Sequence, residues 1–225
     1  MVWPGRDSES SKRVRLATLI TGIAFVIFSL AVTTRLLAGF DYWALSAAQV
    51  YLSPTLDQIG WFFSVIGGIE FTVLALLGIL IVVWLQGRRT LAVRAVVAMA
   101  GMGVVEVICK FFLPYMRVPD ETSRSTGEGG FFSVLVPYLY PYPSGHLLRT
   151  VFVLGLLMFL IGRNRVLEAC VAVVLIGMGW TRVYMSVHWA TDVIGGMLLG
   201  LVGLLWTISS NTLPWMPRPL KRWIH

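Results

Sequence analysis

Six apolar runs, at roughly 16–38, 61–85, 92–113, 147–162, 166–185 and 189–210, occupy most of this chain and leave only short polar punctuation between them. A helical crossing of a bilayer takes roughly 20 apolar residues, with about 17 as the lower limit. Five of the runs are long enough unaided, and the fourth, the shortest, can cross by recruiting flanking residues. The sequence therefore predicts an all-α, polytopic membrane protein of six transmembrane helices. Its 225 residues leave room for one domain, 1–225, and little besides. Composition agrees, since 57% hydrophobic against 13% charged residues and a mean hydropathy of +0.79 lie far outside the balance of a soluble domain.

The net charge of +7 does not indicate a nucleic-acid partner, because the basic residues are scattered between apolar runs rather than gathered on one soluble face. Arg6, Lys12, Arg13 and Arg15 precede the first run, Arg88, Arg89 and Arg94 join the second to the third, Arg163 and Arg165 join the fourth to the fifth, and Arg218, Lys221 and Arg222 follow the sixth. With six crossings all four groups share one side, and the positive-inside tendency names it cytoplasmic. Both termini are then inside a multi-pass plasma membrane of the bacterial cytoplasmic or inner type.

The opposite, outer or periplasmic side receives residues 39–60, which contain Asp41 and Asp57 but no Lys or Arg, together with residues 114–146 and the turn near 186–188. Residues 40–60, with Tyr42, Trp43 and Tyr51, suit either an amphipathic segment at the outer interface between the first two spans or a loop with an aromatic belt. The tail at 215–223 suits an inner-interface anchor. Ser29-Leu30-Ala31 has the small-residue look of a signal cleavage site, but the apolar run around it is too long for a typical signal core and reads as a retained anchor. Cys109 and Cys170 lie in apolar stretches without metal-ligand spacing.

Three polar islands interrupt the apolar background, and all fall on the predicted outer side. Charged or imidazole groups near bilayer depth are costly unless partnered, so they mark function. His188 and Asp192 are four apart at the opening of the last run and share a helix face, where the carboxylate can orient the imidazole as a nucleophile. Arg182, six residues earlier, can grip phosphate oxygens. Pro143-Ser144-Gly145-His146 opens the fourth run, with Ser144 placed to cap the helix, Gly145 baring backbone amides to an anion, and His146 in the first turn as a proton donor. Lys110 and Arg117 flank the outer end of the third run. Each island has a plainer reading when taken alone: a solvated interfacial pair, an ordinary capped helix, or snorkelling cations.

Taken together, in this order and spacing, the three islands resemble the signature motifs of the type-2 phosphatidic acid phosphatase superfamily of membrane lipid phosphatases. The resemblance spans residues 110–192 and implies a six-span fold with an outward site and metal-free chemistry needing no cofactor. His188 would become a phosphohistidine supported by Asp192, and His146 would protonate the leaving group. Lys110, Arg117, Ser144, Gly145 and Arg182 would hold the phosphate, and water would release it. Two departures stand out: Val118 separates Arg117 from Pro119, where the family usually has Pro directly after Arg, and Thr181 stands where Ser is common.

The substrate expected is a membrane lipid phosphate such as phosphatidic acid, phosphatidylglycerol phosphate or a polyprenyl diphosphate. Rival readings are a phosphotransferase using the same intermediate and a lipid or ion transporter. Three further residues lie beside the signature. Glu106 is four before Lys110, in the order that favours pairing. Glu70 is either a partner of the cationic site or a headgroup contact. Arg149, three after His146, extends the cationic lining or faces a loop. The stretch 120–130 reads as an outer loop that gates entry or merely connects.

Overall fold

The computed structural model describes residues 8–124, 139–162 and 164–209. Among them the regular structure is all helical: α1 (Ser8–Thr33), α2 (Ala38–Ala48), α3 (Pro54–Gly67), α4 (Ile69–Leu85), α5 (Arg89–Phe112), a 3₁₀ turn (Asp120–Thr122), α6 (Gly145–Ile161), α7 (Arg165–Tyr184) and α8 (Ala190–Ile208). By length and composition α1, α5, α7 and α8 can each cross a membrane. Helices α3 and α4 pass together as one span bent by 45°, and α6 is a shorter apolar helix of 17 residues. From Leu16 onward the exposed side of α1, lined by Leu16, Leu19, Ile20, Ile23, Val26, Ile27 and Leu30, is apolar, as suits a lipid-facing surface, while the exposed residues ahead of it, Glu9, Lys12, Arg13 and Arg15, are charged.

The boundaries depart from the sequence expectation in two places. The first helix begins well before residue 16 and ends at Thr33 rather than 38. Residues 39–60 are not one loop, because they form α2 and the first half of α3. Ser53 caps α3 by accepting from the Leu56 amide at 3.2 Å, Pro54 supplies a preset φ in the first turn, and Gly68 then breaks the helix before α4. Helix α2 buries Asp41, Leu45 and Ala48 and exposes Phe40, Tyr42 and Trp43, so its carboxylate faces inward and its aromatics outward. The expected anchor at 215–223 lies outside the described residues, as do Arg163 and most of the loop 120–130.

Helix α8 is the axis of the bundle, packed against α6, α1 and α5. A side chain at Gly196 or Gly200 would strike the carbonyl oxygens of Ser144 and Leu148, so the small-xxx-small pair lets α6 lie against α8 backbone to backbone. Side chains tie the helix ends into two groups. At one end Arg94 donates to the carbonyls of Thr207, at 3.1 Å, and Trp206, and to Ser209 Oγ at 3.0 Å, while Ser11 donates to the Ser209 carbonyl at 3.1 Å. At the other end the Ser144 amide donates to the Asp192 carbonyl at 2.9 Å, Tyr140 N–H to the Lys110 carbonyl at 3.1 Å, and Gln49 to the carbonyls of Thr122 and Tyr184 at 2.9 and 2.8 Å. This second end gathers the three polar islands.

Candidate active site

The turn between α7 and α8 places the imidazole. Amides of Val187 and His188 both donate to the Arg182 carbonyl, at 3.2 and 3.3 Å, and Ser186 takes a left-handed φ of 56°. Trp189 caps α8 without a side-chain acceptor of its own. Asp192 compensates by reaching back, so that one oxygen, Oδ2, accepts from the Trp189 amide at 2.8 Å and meets His188 Nδ1 at 3.2 Å. The expected pair is present and both residues are buried, but they do not share a helix face: His188 lies in the turn ahead of the Trp189 cap, and only Asp192 is helical. Burial, followed by the positive charges of Lys110 and Arg182 and offset in part by Glu106, pushes the His188 imidazole well below its ordinary range and keeps it neutral. Neutral imidazole is the nucleophilic form.

Arg182, buried on α7, donates through Nη2 to the Gly60 carbonyl at 3.1 Å and to Ser64 Oγ, which fastens it to α3. Pro143 follows a cis bond, and Ser144 occupies the N-cap of α6. Contrary to the expected cap, its hydroxyl makes no capping bond; among the described residues Ser144 Oγ is buried without a partner. His146 lies in the first turn, near Gly67 of α3, where an added methyl would come to 2.9 Å of the ring. Lys110, Arg149, Arg182 and His188 all lie within electrostatic reach of His146.

Glu106 bridges two cations: Oε1 accepts from Lys110 Nζ at 2.8 Å and Oε2 from Arg149 Nη1 at 3.3 Å. Its carboxylate also lies against Gly145, where any Cβ would collide with it. Arg117 is exposed and donates to the Leu139 carbonyl at 3.3 Å. Glu70 is exposed at the start of α4, beside the Gly68 bend. Of the expected residues, then, His188, Asp192, His146, Ser144, Gly145, Lys110, Arg182, Glu106 and Arg149 gather at one end of the bundle. Arg117 and Glu70 are exposed.

Two carboxylates beyond the expected set support this end. Asp41 of α2, fully buried, accepts from the Thr191 amide at 2.9 Å, from Thr191 Oγ1 at 2.7 Å and from the Tyr115 hydroxyl. It supplies from another helix the acceptor that Trp189 lacks. A lone acid in an apolar, aromatic stretch is the sequence signal that could have found it. Asp57 takes a two-pronged grip from Arg124, at 2.7 and 2.5 Å, and accepts from the Tyr184 hydroxyl at 2.8 Å.

A neutral imidazole oriented by a carboxylate, a second imidazole, a helix N-terminus and several cations can together bind a phosphate and attack its phosphorus. Among the described residues no three His, Cys, Asp or Glu side chains gather into a metal-ligating group.

Comparison with known proteins points the same way. The chain is 27% identical over 158 residues, 68% of its length and 76% of the relative's, to the Escherichia coli (strain K12) protein named "Putative undecaprenyl-diphosphatase YbjG". The fold matches the crystal structure of a transmembrane PAP2-type phosphatidylglycerolphosphate phosphatase from Bacillus subtilis with a TM-score of 0.69, at 19% identity, over 84% of this chain and 93% of that one. The sequence pattern of the PAP2 superfamily matches residues 91–213, which take in all three islands. An apolar helical bundle whose polar residues converge at one end, together with that match, makes this chain an integral membrane protein that belongs to the PAP2 superfamily.

Proposed function

We propose that this protein hydrolyses a phosphate monoester or diphosphate of a membrane lipid through a phosphohistidine, without a metal ion. The observation that supports it most is the convergence of His188, oriented by Asp192, with His146 and the cations Lys110 and Arg182. With Nδ1–H given to Asp192, the lone pair of Nε2 attacks phosphorus, the bond from phosphorus to the leaving oxygen breaks, and His146 supplies that oxygen's proton. Water then attacks the phosphohistidine, its proton passing to His146, and orthophosphate leaves. Lys110, Arg182, Ser144 and the Gly145 amide hold the phosphoryl oxygens, with Arg117 closing from its exposed position. The name of the Escherichia coli relative makes a polyprenyl diphosphate the first substrate to test, followed by phosphatidic acid and phosphatidylglycerol phosphate.

In this reading the chain crosses the membrane six times, with α3 and α4 as one bent span and α6 as the short one. The basic end is cytoplasmic and the site lies outside. The test is phosphate release by the purified protein in detergent, in EDTA and without an acceptor. His188→Ala is expected to lower it at least about 10³-fold. Release that survives this substitution, depends on a metal, or requires an acceptor alcohol defeats the reading.

A further inference from the structure

Glu106 is a carboxylate placed where a phosphate would be expected. It draws on the donors an incoming anion would use, Lys110 Nζ at 2.8 Å and Arg149 Nη1 at 3.3 Å, and its side chain is only 12% exposed. It also occupies the space that Gly145 leaves open at the N-terminus of α6, the end of a helix that attracts anions. The carboxylate lies between two cations that are themselves largely buried, Lys110 and Arg149, with side chains 12% and 13% exposed.

We propose that Glu106 is the resident counter-anion of the phosphate site: in the substrate-free protein its carboxylate holds the place of the phosphoryl oxygens, and a bound phosphate must displace it. The inference rests on the phosphatase reading and adds a residue that sets how strongly the site holds phosphate. A phosphate dianion carries more charge than the carboxylate and wins Lys110 and Arg149, but it binds against the repulsion of the group it has moved aside. The repulsion weakens product orthophosphate as much as substrate. A lipid phosphate recovers the loss through its apolar chains, whereas orthophosphate has none. Glu106 thus keeps the site from being clogged by its own product.

The experiment measures inhibition by inorganic orthophosphate, and the KM for a lipid phosphate, in detergent-purified wild type, Glu106→Gln and Glu106→Asp. Glu106→Gln keeps the shape and loses the charge. It is expected to tighten orthophosphate binding by at least about tenfold, the order produced by removing one charge several ångströms away at an effective dielectric near 20. Glu106→Asp, shorter by one methylene, withdraws from Gly145 and is expected to tighten it several-fold, which keeps the test available should the Gln variant not fold. Orthophosphate binding that is unchanged or weaker in the folded variants overturns the proposal and leaves Glu106 as the structural partner of Lys110, since damage to a scaffold does not create affinity. A wild type that releases no phosphate defeats the phosphatase reading itself, and the inference with it.

Discussion

Replacing Gly196 by alanine should separate the two histidines. A Cβ at Gly196 would run into the Ser144 carbonyl oxygen and approach the Ser144 carbonyl carbon at 3.2 Å and Leu147 Cβ at 3.3 Å. Backbone cannot rotate out of the way, so the start of α6 must move off α8. Overpacking of this kind costs about 1–3 kcal/mol. The strained contact also pulls on the bond from the Ser144 amide to the Asp192 carbonyl, whose loss adds about 0.5–1.5 kcal/mol. Together these come to roughly 1.5–4.5 kcal/mol, a measurable loss of thermal stability. The catalytic effect is the sharper readout, since His146 and His188 are held by the two sides of this contact, and a shift of about 1 Å in reacting geometry costs on the order of 10²-fold in rate. Gly155→Ala is the matched control on the same pair of helices, because there the added methyl meets only the side chain of Leu204, which can turn aside. Turnover of a lipid phosphate and thermal unfolding in detergent are measured for both variants. Gly196→Ala should lose most of its kcat, and Gly155→Ala should lose some stability while keeping its kcat. A Gly196→Ala enzyme within about twofold of wild type, or a Gly155→Ala enzyme equally impaired, would refute the claim that this contact sets the catalytic spacing.

Removing Asp41 by substitution with alanine strands the Thr191 amide, the Thr191 hydroxyl and the Tyr115 hydroxyl. At about 1–3 kcal/mol for each buried donor left unpaired, thermal unfolding should shift by the equivalent of roughly 3 kcal/mol or more, and kcat should fall as Asp192 is drawn toward the vacated amide. Asp41→Asn should recover part of both, because its amide oxygen still accepts from Thr191. A harmless Asp41→Ala contradicts this account. The pH dependence follows from His188, which stays neutral in the folded protein below its ordinary value of 6.5 but is protonated there in the unfolded chain. The unfolded state therefore binds more protons in that window, and the His188 contribution to stability falls as pH drops from 6.5 toward the depressed folded value. In a pH series of kcat/KM, corrected for the second ionisation of the substrate phosphate near about 6, the acid limb from the nucleophile should lie below 6.5; a limb centred above it argues against a neutral, buried His188.

The parts of the site that follow local rules could be read from the chain. The first-turn position of His146 and the pairing of Glu106 with Lys110 depend only on helical geometry, whereas His188 meets Asp192 from the turn ahead of the α8 cap, where the four-residue spacing found the pair but the helix face did not place it. Features that arise between elements could not. Asp41 is a cap given to α8 by α2, and no spacing rule connects residues 41 and 191. Ser144 has the right residue type and position for a cap, but its hydroxyl makes no capping bond, and its amide is spent on the Asp192 carbonyl instead. Helix α2 was hidden because aromatics and small residues suit a belt as well as a helix, and which side of it faces the bundle is decided by the partner that awaits Asp41.

Helix α8 also works as a ruler. Its 19 residues rise roughly 28 Å at about 1.5 Å per residue, close to the hydrocarbon thickness of a bilayer, about 30 Å. With Arg94 riveting one end and the Asp192 pair at the other, the helix would, on the proposed reading, set His188 near the plane where lipid phosphates reside. A lipid would then be processed there while its chains stay dissolved among their neighbours, and no extraction step would precede chemistry.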